Sequence, residues 1–74
     1  MKNNSVRTLI IFDGESDTKV NEFNSKDEAW GFAKKNTFEL MEEFSDHGFL
    51  LTFQKSIDSY LLEADGLIVE VTVY

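Results

Sequence analysis

The sequence predicts an α+β fold in which one long helix covers one face of an antiparallel sheet, with the elements in the order ββαβββ. Three observations support this fold class. Residues 25–46 carry a single helical stripe of apolar side chains, strand-like apolar patterns lie on both sides of that segment, and Asp65-Gly66 joins two of them. We expect one small domain, residues 1–74, in which the polar residues 1–5 are frayed.

Two strands are predicted before the helix. Residues 6–12 are β-branched and aromatic, which is typical of a strand. Asp13–Asp17 is rich in turn-forming residues and lacks the roughly 12-residue loop of an EF-hand, so we interpret it as a plain turn. Residues 18–23 predict a weaker strand. Its anchors, Val20 and Phe23, are three residues apart, which implies a bulge or an early end of the strand.

A capping box predicts the start of the helix. Ser25 lies three residues before Glu28, so its hydroxyl can accept from the Glu28 N–H while the Glu28 carboxylate accepts from the Ser25 N–H. We expect His47 to cap the C-terminus, with Gly48 in the left-handed conformation beyond it. The predicted core face consists of Trp30, Ala33, Thr37, Leu40, Met41 and Phe44, with Ala29 and Phe38 at its edges.

Three strands are predicted after the helix, at residues 49–54, 57–64 and 67–74. Asp65-Gly66, between the last two, is typical of a two-residue type I′ turn. Such a turn fixes the opposed pairs: Ala64 with Leu67, Leu62 with Val69, and Tyr60 with Val71. This apolar face is expected to pack on the helix, while the place of the first hairpin in the sheet stays open.

The opposite face of this sheet has no second helix to cover it. Its apolar members in the last two strands are Ile57, Leu61, Ile68 and Tyr74. Contiguous exposed apolar patches mark interaction sites, so these four residues form a candidate homodimer face.

An acidic stripe runs along the predicted outer side of the helix and consists of Glu28, Glu39, Glu42, Glu43 and Asp46. Phe32 falls within it, away from the predicted core face. An aromatic ring surrounded by charge is typical of a binding hot spot, although a segment that covers the ring explains it equally well. We therefore predict a partner-binding surface made of Phe32 and these five acidic residues.

The whole chain is acidic, with 14 Asp and Glu against 7 Lys and Arg and a net charge of −7. Such a surface repels phosphate, so we expect no direct binding to nucleic acid. The acidity either serves solubility alone or attracts a basic partner, including a protein whose usual ligand is DNA or RNA.

The sequence contains little that points to catalysis, cofactors, metals or membranes. Its one histidine, His47, has no nucleophile nearby in the chain, and its four glycines are scattered rather than clustered in a phosphate loop. The apolar run Leu9–Phe12 is shorter than the core of a signal peptide or a membrane span. We expect a cytoplasmic protein without cofactor or metal.

Three functional classes remain. In size, acidity and lack of catalytic groups the chain resembles small inhibitors that phages and mobile elements carry, which block host nucleases or defence complexes, some by imitating the charge of DNA. We therefore favour a non-enzymatic, acidic protein-binding module that inhibits a basic, nucleic-acid-binding host protein. The alternative is a structural homodimer that associates through the exposed sheet face. The third class, a small enzyme or ligand-binding protein, is the least favoured, because one helix on a sheet leaves little pocket volume.

Overall fold

The computed structural model describes residues 4–74 and confirms the predicted α+β fold. Its elements are β1 (Ser5–Phe12), β2 (Glu15–Glu22), α1 (Lys26–Asp46), β3 (Thr52–Lys55), β4 (Ser59–Ala64) and β5 (Leu67–Val73). The five strands form one open sheet in the order β2-β1-β5-β4-β3, and all neighbours are antiparallel.

The N-terminal hairpin belongs to this sheet, because β1 pairs with β5 from Val6 opposite Val73 to Phe12 opposite Leu67. The expectation of frayed residues 1–5 is wrong at its C-terminal end. The Phe23 N–H donates to the Asn4 carbonyl at 2.7 Å, and Ser5 opens β1. Residues 1–3 lie outside the described residues. A strand held between two neighbours extends its pairing to its first residues, even when these are polar.

The turn between β1 and β2 is shorter than predicted. It consists of Asp13 and Gly14, whose φ angles of 54° and 82° are typical of a type I′ turn. Glu15 to Asp17 belong to β2, because β2 is an edge strand whose side chains can remain in water. No bulge interrupts β2, because Val20 and Phe23 lie on opposite faces of the sheet, as in a regular strand, and the strand ends at Glu22, one residue before the predicted end.

The C-terminal hairpin has the predicted register, with the three pairs Ala64–Leu67, Leu62–Val69 and Tyr60–Val71. The predicted type I′ turn is wrong, because it requires a positive φ at both central residues, and here Gly66 has a φ of 78° while φ at Asp65 is not positive. The hairpin's partner strand β3 begins later than predicted, at Thr52. The preceding Phe49 instead packs edge-on against Phe12 and Phe44, with ring centroids 5.8 and 5.7 Å apart. Aromatic packing against the helix end therefore replaces strand pairing at this position.

Both ends of α1 are capped. The Ser25 hydroxyl accepts from the Glu28 N–H at 3.2 Å, as predicted, whereas the Glu28 carboxylate accepts from the Asn24 N–H rather than from Ser25. At the other end, His47 Nδ1 lies 2.9 Å from the Glu43 carbonyl oxygen, and Gly48 has a φ of 94°. The C-terminal prediction is therefore confirmed.

Small residues form the centre of the helix face that meets the sheet. Ala29, Ala33 and Thr37 are buried, and their short side chains let α1 approach the sheet closely. The larger apolar residues Trp30, Leu40, Met41 and Phe44 are partly buried around this centre. Phe38, predicted at the edge of the core face, is 45% exposed. The buried sheet residues below α1 are Val6, Tyr60, Leu62, Leu67, Val69, Val71 and Val73.

Candidate functional site

The helix does not cover the whole sheet. It contacts β1, β5 and β4, and the edge strand β2 extends beyond it. A groove of about 200 Å³ therefore opens between α1 and the outer part of the sheet. We call it the α1–β2 groove, and its lining residues are Thr8, Ile10, Asp17, Lys19, Asn21, Phe32, Asn36 and Leu40.

Phe32 lies inside this groove rather than on the outer side of the helix. At about 100° per residue, it falls roughly 100° from the midpoint of Ala29, Ala33 and Thr37, which places it on the flank of α1 that faces β2. Its ring is partly buried, and its centroid is 5.1 Å from that of Phe23. The predicted fully outward position is wrong, because Phe23 follows the end of β2 and covers one side of the ring.

Phe32 also borders a second depression. This hollow, of about 420 Å³, lies at the N-terminal half of α1 and is lined by Glu22, Phe23, Asn24, Glu28, Gly31, Phe32 and Lys35. Phe32 is thus the apolar wall that the hollow shares with the α1–β2 groove. Whether the ring contacts a partner stays a prediction.

The predicted acidic residues lie along the same flank of α1. Glu39 lies seven residues after Phe32 and three after Asn36, and Glu43 lies seven residues after Asn36. At these spacings both glutamates lie on the side of the helix that lines the groove. Glu28, Glu39, Glu42, Glu43 and Asp46 are all exposed to solvent. We call these five residues the acidic flank.

The edge strand adds charge on the other side of the groove. Glu15 and Asp17 lie on the helix side of β2, so that side of the strand and the acidic flank together carry seven of the chain's 14 acidic residues. Only Lys19 on β2 and Lys35 on the flank oppose them. A basic surface that approaches the groove meets attraction from both sides.

Polar side chains form part of the groove floor. The Asn36 amide donates to the Thr8 hydroxyl at 2.8 Å and so ties α1 to β1. The amide oxygen of Asn21 is buried and, within residues 4–74, accepts no hydrogen bond. The sequence did not indicate the Asn36–Thr8 hydrogen bond or the buried Asn21 amide, since asparagine and threonine within a strand or helix pattern are ordinarily predicted to lie at the surface.

The proposed dimer residues do not all meet on one surface. Leu61 and Ile68 lie on the sheet face opposite α1, which we call the back face, and the strand order adds Leu9 and Ile11 beside them. Ile57 lies in the loop between β3 and β4 and is 92% exposed. The homodimer itself stays a prediction.

The remaining dimer candidate, Tyr74, lies at one end of the back face. The Arg7 guanidinium is 5.8 Å from the centroid of its ring and 3.6 Å from a Glu70 carboxylate oxygen. Glu70 stands between Leu9 and Leu61 on the neighbouring strands. Charge therefore interrupts the apolar surface of the back face.

An aromatic row lies along the flank of α1 that faces β3, and it begins at Phe38, which was predicted at the edge of the core face. Phe38 stacks on Phe53 with ring centroids 5.9 Å apart, and Phe53 stacks on Tyr60 at 5.8 Å. Lys55 Nζ lies 5.2 Å from the Trp30 ring centroid. Only the outer two rings, those of Phe38 and Phe53, are strongly exposed.

Comparisons with known proteins give no guide to this site. No protein-family model matches the chain, and neither the curated proteins nor the solved structures gave a significant match. Among residues 4–74, no three His, Cys, Asp or Glu side chains converge in a way that could hold a metal ion. The described part of the chain also contains no helix that is both long and apolar enough to cross a membrane.

Proposed function

We propose that this protein is a non-enzymatic binding module whose α1–β2 groove receives a basic surface of another protein. The observation that carries this proposal is the combination of an apolar wall, Phe32, with carboxylates on both sides of the groove. In many protein interfaces an apolar anchor supplies most of the affinity, and the charged residues around it supply much of the specificity.

The kind of partner follows from the charge. The acidic flank and β2 concentrate negative charge on one side of a chain whose net charge is −7. Lysine- and arginine-rich surfaces are commonest on proteins that bind nucleic acid. A protein that occupies such a surface excludes DNA or RNA from it, so inhibition of a nucleic-acid-binding protein is the activity that we propose. This is also the mode of action that the resemblance to small phage and mobile-element inhibitors suggests.

The dimensions of the groove favour side chains of a protein over a small ligand. The groove alone, at about 200 Å³, is below the roughly 300–1,000 Å³ of ordinary ligand pockets, whereas the adjoining hollow of about 420 Å³ is within that range. A few arginine or lysine side chains need only a shallow groove. Long basic side chains can place their methylene groups against Phe32 and Leu40 while their charged ends reach the carboxylates above.

The experiment compares three immobilised proteins in a lysate at low and high salt: wild type, a Glu39→Lys/Glu43→Lys groove variant and a Glu63→Lys/Asp65→Lys control. The control makes the same change in net charge at two exposed positions on β4 and its turn. We expect wild type and control to retain the same basic protein at low salt, and the groove variant to lose it. Equal loss in both variants would show that net charge alone, and not the groove, causes retention.

A further inference from the structure

The edge strand β2 exposes a row of unpaired backbone groups. The Phe23 N–H points to β1, where it donates to Asn4, so every second residue before it also points to β1. Ser16, Thr18 and Val20 therefore direct their N–H and C=O groups away from the sheet. The other edge strand, β3, has only four residues, whereas β2 has eight. The longer edge is the better template for another strand.

The side chains beside this edge have a self-complementary pattern. Asp17 and Lys19 lie on the helix side of β2, one on each side of Thr18. Neither forms an ion pair within residues 4–74. We propose that two copies of the chain pair antiparallel through β2, around a two-fold axis at Thr18, so that each Asp17 lies opposite the Lys19 of the other copy.

This register is the one that suits both the hydrogen bonds and the charges. Ser16, Thr18 and Val20 of one copy then lie opposite Val20, Thr18 and Ser16 of the other, and about six backbone hydrogen bonds form. On the helix side, the Asn21 amide lies opposite the Glu15 carboxylate of the other copy. Val20, which is 57% exposed in one chain, becomes partly covered.

Other symmetric registers oppose like charges or lose the ion pairs. An axis at Asp17 places two Asp17 carboxylates opposite each other, and an axis at Lys19 does the same for two lysines. An axis at Ser16 opposes Asp17 with Glu15, and an axis at Val20 opposes Lys19 with Asn21. Like charges directly opposite each other destabilise a strand pair, so the axis at Thr18 is selected.

The pairing has a structural consequence for the groove. A two-fold axis perpendicular to the sheet keeps both α1 helices on the same face, one on each side of the paired β2 strands. The two α1–β2 grooves then open into one trough with an acidic flank on either side. The pairing itself does not depend on the function proposed for the groove, because it is measured with the purified protein alone.

The test is sedimentation equilibrium over roughly 10–500 µM, a range that suits a small strand-to-strand interface. We expect wild type to dimerise, and Asp17→Lys and Lys19→Asp each to dimerise about tenfold more weakly, because each opposes like charges. Mixed in equal amounts, these two variants should form a heterodimer, since every Lys then faces an Asp. Recovery in the mixture also shows that both variants fold.

A second variant tests the backbone pairing. Thr18→Pro removes an N–H that points away from β1, and proline is tolerated at such positions of an edge strand, so the monomer should fold while the dimer is lost. A wild type that stays monomeric throughout the range would overturn the proposal. So would a dimer that Leu61→Glu dissociates and that Thr18→Pro leaves intact, because that result places the interface on the back face.

Discussion

Phe32 lies against Phe23, with ring centroids 5.1 Å apart and planes tilted by 39°. The contact joins the N-terminal half of α1 to the segment that leaves β2, and it positions the ring where the groove and the neighbouring hollow meet. Phe32 therefore has a structural role, packing against Phe23, in addition to any contact with a partner. We therefore expect its replacement by a small residue to lower stability as well as to weaken the proposed binding.

The contribution of the Phe32 side chain to stability can be measured separately from any contribution to binding. We expect Phe32→Ala to lower the free energy of unfolding by about 2 kcal/mol, below the range for a fully buried phenylalanine, because the ring is only partly buried. Phe32→Leu retains most of the apolar volume and should cost about half as much. Urea denaturation measures both. Equal stability of wild type and Phe32→Ala would contradict the described contact with Phe23.

Gly31 offers a stabilising substitution. A Cβ at this position meets nothing within 4 Å, and the residue lies inside α1, where glycine costs about 1 kcal/mol relative to alanine. We expect Gly31→Ala to raise the free energy of unfolding by about 0.5–1 kcal/mol in the same denaturation experiment. An unchanged or lower value would mean that the helix is distorted at Gly31.

Two buried threonines should respond differently to valine. The Thr8 hydroxyl accepts from Asn36, so Thr8→Val leaves the amide without that acceptor and should cost about 1 kcal/mol. The Thr37 hydroxyl donates to the Ala33 carbonyl, which already accepts a helical hydrogen bond, so Thr37→Val should cost less than about 0.5 kcal/mol. Thermal unfolding of both variants measures the difference. The reverse order would contradict the role of Asn36 as a link between α1 and β1.

Two neighbouring leucines of β4 test whether only one face of the sheet is covered. Leu62 is fully buried under α1, whereas its neighbour Leu61 lies on the uncovered back face. Leu62→Thr should cost about 3 kcal/mol, and Leu61→Thr less than about 1 kcal/mol in the monomer. Denaturation at low protein concentration measures both. Similar costs would indicate that the back face is covered.

The C-terminal hairpin was the most predictable part of the fold. The predicted turn type at Asp65-Gly66 was wrong, but the two-residue length of the turn was right, and that length fixes the register of the paired strands. The segments around β2 were less predictable because Glu15 to Asp17 are polar, and polar residues are acceptable in an edge strand as well as in a turn. Only the strand order reveals that β2 is an edge.

The acidic flank was predictable from helical spacing, whereas the environment of Phe32 was not. The position of its ring depends on Phe23, which belongs to another element, and on the small residues that set the centre of the buried face. The groove itself arises because α1 leaves β2 uncovered, a property of tertiary arrangement that no local pattern in the chain contains.

The central claim is that the α1–β2 groove binds the nucleic-acid-binding surface of a basic protein. The most direct measurement is displacement of labelled DNA from the captured partner, followed by fluorescence anisotropy, with the wild type, the Glu39→Lys/Glu43→Lys variant and the Glu63→Lys/Asp65→Lys control as competitors. We predict that wild type and control displace DNA equally and that the groove variant is weaker by about tenfold or more. Displacement by the groove variant at the wild-type concentration would contradict the claim.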